Sequence, residues 1–224
     1  MSEGFRIRAN WNRVGQGLVA EASELPVANV SDCMSRLTGG GGLQRYHRHG
    51  CMAGPAFTVR VRPGDNLLLH KALDMAQPGD VVVVAAGGDL SNALIGELMV
   101  THAKVRGLAG LVIDGAIRDR DALLEINLPV FARGVCHRGP YKDGPGEIGF
   151  PVAVDGMVVA PGDLVIGDGD GVLAVPLDSV ATVLEQAERK HAAEDAQMRA
   201  TLSGSTDRSW IDRSLREKGC IFPG

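Results

Sequence analysis

The first half of the chain alternates between strand-like and helix-like periodicity. Apolar, β-branched runs at Ala56 to Val61 and Val81 to Ala86 read as buried strands, followed by the turn signals Pro63-Gly64-Asp65 and Gly87-Gly88-Asp89. Between them, Leu67, Leu68, Leu69, Ala72, Leu73 and Ala76 fall at helical spacing, and the pattern stops at Pro78-Gly79. After Gly87-Gly88-Asp89 a second helical pattern is predicted to run to Gly107, with Leu108 to Ile113 as the next strand. That unit places its loops at the carboxyl ends of its strands. Arg118 to Ile126 suits a short helix ending at Asn127, and Val130 to Ala132 a further strand.

From Val152 the texture changes. Val152 to Val154, Met157 to Val159, Leu164 to Ile166 and Val172 to Val175 are separated only by Asp155-Gly156, Pro161-Gly162-Asp163 and the Gly167 to Gly171 turn, a run of antiparallel hairpins. Leu177 to Leu202 reads as a long charged helix whose apolar stripe is confined to Val180, Val183, Leu184 and Ala187, so its later turns are expected to lie across another subunit. Ser31 is expected to be the N-cap of a helix starting at Asp32. The segment after Leu202 reads as a tail, with Trp210, Ile211 and Phe222 as candidate anchors. The expected class is α/β.

Composition narrows the picture. With 224 residues and 45% apolar content the chain can bury a full core, and a single domain over residues 1–224 is expected. Thirty glycines against 4% aromatic residues suit short strands and close backbone approaches. The balance of 23 basic and 27 acidic residues gives a net charge of −4 with no basic block, which argues against a nucleic-acid partner. The opening residues lack the apolar core of a signal peptide, and no run reaches the roughly 18 apolar residues of a membrane span. A cytoplasmic protein with no membrane partner is expected. Cys33, Cys51, Cys136 and Cys220 are scattered, so reduced thiols are expected.

Two loops carry candidate chemistry. Gly87 to Asn92, read as a strand-to-helix loop, would aim unpaired N–H groups at an anion, although such glycine-rich loops also occur for structural reasons alone. There is no G-x-G-x-x-G and no P-loop lysine, so a small carboxylate suits it better than a nucleotide. Ile113 to Asp119 should open on the same edge of the sheet and bring Glu97, Asp114, Arg118 and Asp119 together. Carboxylates with bound water suit a hard cation such as Mg²⁺ or Mn²⁺. The alternative is that Arg118 and Asp119 simply cap the next helix and pair with each other.

The spacing of Glu97 and Arg118-Asp119, the Gly96-Glu97-Leu98-Met99 segment and the later Pro161-Gly162-Asp163 and Asp168-Gly169-Asp170-Gly171 turns together resemble the 4-hydroxy-4-methyl-2-oxoglutarate aldolase family. That family is also called regulator of ribonuclease E activity A (RraA)-like, and the likeness covers about Val30 to Arg199, leaving 200–224 as a tail. The resemblance implies a layered β/β/α swivelling-domain-like fold with a central mixed sheet, C-terminal hairpins and a long C-terminal helix. It also implies a class II aldolase acting on a 4-hydroxy-2-keto acid, with oxaloacetate decarboxylation through the same pyruvate enolate.

In that scheme Asp119 is the direct ligand of Mg²⁺ or Mn²⁺, and Glu97 is a carboxylate acting through water. Gly96 and the amides of Leu98 and Met99 bind the pyruvate carboxylate, and Arg118 contacts the pyruvyl oxygens. Lys142 stands where the family often has a catalytic lysine, within a departing Tyr141-Lys142-Asp143-Gly144 context. A further carboxylate, Glu194 or else Asp195, is implied to come from the C-terminal helix of a neighbour in a homotrimer or dimer of trimers. The family also contains protein-binding regulators of an RNA-degrading endonuclease, and altered loops at Arg138 to Phe150 could admit another keto acid.

Other features invite a blander reading. His47-Arg48-His49 with Cys51 is expected to be surface rather than a metal cluster, and Cys136-His137 lacks a third group to orient a thiol nucleophile. Asp163, Asp168 and Asp170 suit tight turns, and of five lysines only Lys142 lies near the proposed site for a Schiff base.

Overall fold

The computed structural model describes residues 4–222. The chain divides into two compact units, Met1–Ala187 and Glu188–Gly224. In the first, nine strands among the described residues form one mixed sheet.

Its centre is the parallel set β3 (Met52–Val61), β4 (Val81–Ile95), β5 (Gly110–Ile117) and β6 (Val130–Val135). Helices α3 (Leu67–Met75), α4 (Glu97–Val105) and α5 (Arg120–Ile126) make the connections. The edges are completed by β1 (Phe5–Ile7) and β7 (Gly146–Ile148) beyond β3, and by β2 (Gln44–Arg45) beyond β6. Strands β10 (Leu164–Gly167) and β11 (Val172–Val175) extend from β3 as an antiparallel pair, and β8 (Val152–Val154) and β9 (Met157–Val159) form a separate hairpin.

Alternation along each strand divides the core. Phe57, Val59, Val82, Val84, Leu111 and Ile113 face the helices, packing on Leu69, Leu73, Val100 and Leu123. Ala56, Val81, Val83 and Val112 face the other way, against Val154, Met157 and Val159 of the hairpin. The expected β/β/α layering and central mixed sheet are therefore what the chain adopts. A third cluster joins α1 (Gln16–Ser23) and α2 (Val27–Cys33) to β10, β11 and the start of α6 (Val180–Leu202), where Val180, Val183, Leu184 and Ala187 are buried as the apolar stripe predicts.

Two element assignments change. Ser31 and Asp32 lie near the end of α2 rather than at a helix start, because Pro26 already begins that helix, and Asp32 instead pairs with Arg36 at 2.6 Å. The second unit contains a helix, α7 (Ser209–Glu217), inside the predicted tail. Its Trp210, Ile211 and Leu215 share a face at spacings of one and four residues, and Asp207 accepts the Ser209 N–H at 2.8 Å to start it.

Candidate functional site

The glycine-rich loop is not the strand-to-helix junction that the periodicity predicts. Gly87 and Gly88, both at φ +70°, throw a bulge out of β4, after which Ala93 and Ile95 pair again with Ala116 and Ile117 of β5. The helix starts only at Glu97, so the uncapped amino end faces Gly96, nine residues beyond the glycine pair. The anion-binding geometry expected of Gly87 to Asn92 belongs instead to Gly96 to Met99.

Gly96 caps α4 without a side chain, in an extended conformation. The Glu97 N–H donates to Asp119 Oδ2 at 3.0 Å, while the Leu98 and Met99 N–H groups that follow have no acceptor among the described residues. These two donors at the positive end of a helix dipole suit a carboxylate. A Cβ on residue 96 would fall 2.3 Å from Asp119 Oδ2 and 2.9 Å from Arg118 Cγ, so only glycine lets the two turns close on each other.

The second turn is held equally tightly. The Arg118 N–H donates to the Ile95 carbonyl at 2.9 Å, and Asp119 takes the left-handed conformation at φ +56°. Its side chain is thereby turned back to α4 rather than capping α5, which has no side-chain cap. Arg118 Nε lies 3.5 Å from Asp119 Oδ2, and both side chains remain about two-fifths exposed, open to a ligand.

Arg118, Asp119 and the backbone amide of Glu97 therefore meet. Asp114 does not join them. It lies one residue before Gly115 on the hairpin-facing side of β5, where Arg133 Nε donates to it at 2.7 Å while Arg133 Nη1 bonds Asp155 at 2.9 Å.

A cleft of about 110 Å³ opens beside this junction, lined by Gly96, Leu98, Met99, Arg118 and Lys142 among others. Lys142 is brought in by the loop Arg138–Asp143, which is tied down at both ends. Asn92 Nδ2 and the Ala93 N–H, on the far side of the β4 bulge, donate to the carbonyls of Gly139 at 2.6 Å and Arg138 at 2.8 Å. The Asp143 and Gly144 N–H groups donate to the buried Asp65 carboxylate at 2.8 and 2.9 Å. Burial alone would raise the Asp65 carboxyl, yet those two amides, the Leu67 amide and Arg62 outweigh it and hold it below the usual carboxylate range.

Two further residues line the cleft that the sequence pattern does not single out, Asn66 and His70 of the α3 segment. Asn66 is buried; its Nδ2 donates to the Leu94 carbonyl at 2.8 Å, and its Oδ1 has no partner among the described residues. The only sequence cue was polarity inside an apolar stretch, at Asn66 and His70 around Leu67-Leu68-Leu69.

Glu194 and Asp195 lie on α6 in the second unit, where Glu194 pairs with Lys190 at 2.7 Å. His47 is buried rather than surface, its ring edge-on to Phe131 and its Nδ1 taking the Val130 N–H at 3.2 Å. Asp163 accepts the Ala160 and Leu177 N–H groups and Asp168 those of Val27 and Asp170, all turn or cap contacts. Cys136 Sγ donates to the Ser91 carbonyl at 3.3 Å.

The described residues contain no group of three or more His, Cys, Asp or Glu side chains arranged to hold a metal. The single Asp119 carboxylate nevertheless fits a hard cation that keeps most of its water. Asp119 Oδ2 is occupied by the Glu97 amide, which leaves Oδ1 for a ligand. No helix among the described residues is long and apolar enough to cross a membrane.

Comparison with known proteins places the chain among relatives. A sequence model of the RraA-like family, described as Aldolase/RraA, matches residues 27–174. A protein of Halalkalibacterium halodurans provisionally named 4-hydroxy-4-methyl-2-oxoglutarate aldolase is 38% identical over 183 residues, 81% of this chain and 87% of its own length. Among solved structures, an uncharacterised protein of Pseudomonas syringae pv. tomato aligns with TM-score 0.79 and 30% identity, over 88% of this chain and 97% of that one. Streptomyces coelicolor RraAS2, described as an unusual member of the RNase ES inhibitor RraA protein family, aligns with TM-score 0.76 and 28% identity, over 84% of this chain and 99% of its own.

Proposed function

The chain belongs to the RraA-like family, and from that membership and the chemistry of the cleft we propose that it is a divalent-metal-dependent carbon–carbon lyase. Its substrate in this reading is 4-hydroxy-4-methyl-2-oxoglutarate or a related 4-hydroxy-2-keto acid, and its product is pyruvate. The carrying observation is the meeting of Asp119, Arg118 and the Glu97 amide at an uncapped helix start.

The Leu98 and Met99 amides bind the substrate's C1 carboxylate. Arg118 faces the 2-keto oxygen, where its guanidinium stabilises the negative charge that arrives as the C3–C4 bond breaks. Glu97 takes the proton of the 4-hydroxyl through a water, so the C4 oxygen becomes a carbonyl and the bonding pair passes to the enolate of pyruvate. That enolate is then protonated at C3. Asp119 would hold Mg²⁺ or Mn²⁺, which when bound supplies Lewis-acid polarisation of the keto group. Decarboxylation of oxaloacetate reaches the same enolate by losing carbon dioxide instead of an aldehyde or ketone. We further propose a homotrimer or dimer of trimers in the cytoplasm, in which Glu194 of a neighbour completes the acid–base set.

A lactate-dehydrogenase-coupled pyruvate assay tests this reading. Arg118→Ala and Asp119→Ala should each lower turnover by at least about a hundredfold while leaving the thermal melt within a few degrees of the parent. Chelator should abolish activity and added Mg²⁺ or Mn²⁺ restore it. Full activity in either variant, or no turnover of any hydroxy-keto acid with metal present, rejects the lyase and leaves the endonuclease-inhibiting role of relatives such as RraAS2 as the better reading.

A further inference from the structure

The sheet ends on β1, and the outer side of that strand is open among the described residues. In its parallel pairing with β7, Phe5, Arg6 and Ile7 stand beside Gly146, Glu147 and Ile148. The Gly146 N–H donates to the Gly4 carbonyl at 2.6 Å, and the Arg8 N–H donates to the Ile148 carbonyl at 2.9 Å. Gly4, Arg6 and Arg8 therefore turn their backbone towards β7, while Phe5 and Ile7 turn their N–H and carbonyl groups outward. An edge of this kind is a template for one more strand.

The two faces of the edge differ in chemistry. Arg6, Glu147 and Arg60 form one row across β1, β7 and β3, in which the buried Glu147 carboxylate takes Arg6 at 2.5 Å and also pairs with Arg60. Arg8 follows on the same side, since its guanidinium and that of Arg6 lie over the Phe150 ring at 4.8 and 4.5 Å. Arg8 has no carboxylate partner among the described residues, whereas Arg62, further along β3, is engaged by Asp65 at 3.1 Å. Arg6, Arg8 and Arg60 thus set three guanidinium groups against the one carboxylate of Glu147. On the opposite face Phe5 and Ile7 are 53% and 48% exposed.

A guest strand laid along this edge meets positive charge on one side and apolar surface on the other. Opposite charges on directly facing residues stabilise such a pair, and like charges oppose it. A second copy of β1 is a poor guest, because antiparallel pairing would set arginine beside arginine.

We infer that the outer edge of β1 docks an extended segment of a partner protein, one that alternates acidic and apolar residues and joins the sheet as an added strand. The outward groups of Phe5 and Ile7 supply the main-chain bonds, and the arginine face supplies the choice of partner. Charged side chains also serve simply to keep an open edge from pairing with anything. The two roles predict opposite results.

Fluorescence anisotropy on the full chain separates them, with a labelled peptide alternating glutamate and valine against one alternating lysine and valine. The acidic peptide should bind at least about tenfold more tightly at low salt, and the margin should shrink as salt rises. Hydrogen exchange should show the Phe5 and Ile7 amides protected when it is bound. Arg8→Glu, at an exposed position, should weaken acidic-peptide binding by about fivefold or more. Ile7→Pro removes an outward N–H and keeps those that bond β7, so it should abolish binding while the melting temperature stays within about 3 °C of the parent. Equal binding of the two peptides, or binding untouched by Ile7→Pro, overturns the site. So does a parent that binds neither peptide; if Arg8→Glu then self-associates, the arginines protect the edge and do nothing more.

Discussion

Gly96→Ala isolates the junction between the two acid-bearing turns. The backbone there is extended, at φ −153°, so alanine meets no conformational penalty and the entire effect comes from its Cβ. That atom would lie 2.3 Å from Asp119 Oδ2. Restoring an ordinary contact of 3.4 Å moves the carboxylate by about 1 Å, and Arg118, 2.9 Å away at Cγ, must shift with it. If these groups position substrate and metal as proposed, a displacement of about 1 Å corresponds to roughly a hundredfold loss in kcat/KM.

Stability should respond differently. Losing the Glu97 N–H bond to a carboxylate this exposed costs about 0.5–1 kcal/mol after solvent screening. Replacing glycine by alanine returns about 0.4–1 kcal/mol by restricting the unfolded chain. The melting temperature should therefore stay within about 3 °C of the parent while coupled pyruvate release collapses. Activity within threefold of the parent would refute the reasoning, as would an activity loss that merely follows the unfolded fraction.

Two further perturbations probe the support of the site. Asp65→Ala leaves three amide donors without their buried acceptor and frees the Lys142 loop, so a loss of about 3 kcal/mol in denaturant unfolding and a raised KM are expected, with Asp65→Asn intermediate. Because the folded carboxyl sits below its unfolded value near 4, the contribution of Asp65 is complete above that value and disappears as pH falls through the folded one; the parent's melting temperature should fall below about pH 4 more steeply than that of Asp65→Asn. Gly17→Ala, inside α1 with open space around its Cβ, should raise stability by about 0.5–1 kcal/mol without touching activity, and a destabilised variant would place α1 wrongly.

The parallel core and the C-terminal hairpins were legible because their strands are short, apolar and punctuated by turns, and each finds partners close in sequence. The interruption at Gly87-Gly88 was not. A glycine pair at positive φ ends a strand in one context and bulges it in another, and what decides here is the re-pairing of Ala93 and Ile95 with β5. The helix start, with its unpaired amides, accordingly lies at Gly96 to Met99 rather than at Gly87 to Asn92. Asp114 shares its loop signal with Arg118 and Asp119, and only strand alternation separates them by turning its side chain to the hairpin layer. The place of His70 and Asn66 in the cleft lining has no local signal, because the Arg138–Asp143 loop that closes the cleft returns some seventy residues later along the chain.

The β4 bulge separates two points of attachment. The Gly96 and Arg118-Asp119 turns are welded to adjacent strands by the Ile95 carbonyl, and a change in either moves both. The loop bearing Lys142 hangs from Asn92 and Ala93, on the far side of the β4 bulge. The turn that joins Gly96 to Asp119 and the loop that carries Lys142 thus hang from separate points of one strand, so either can shift while the other keeps its place.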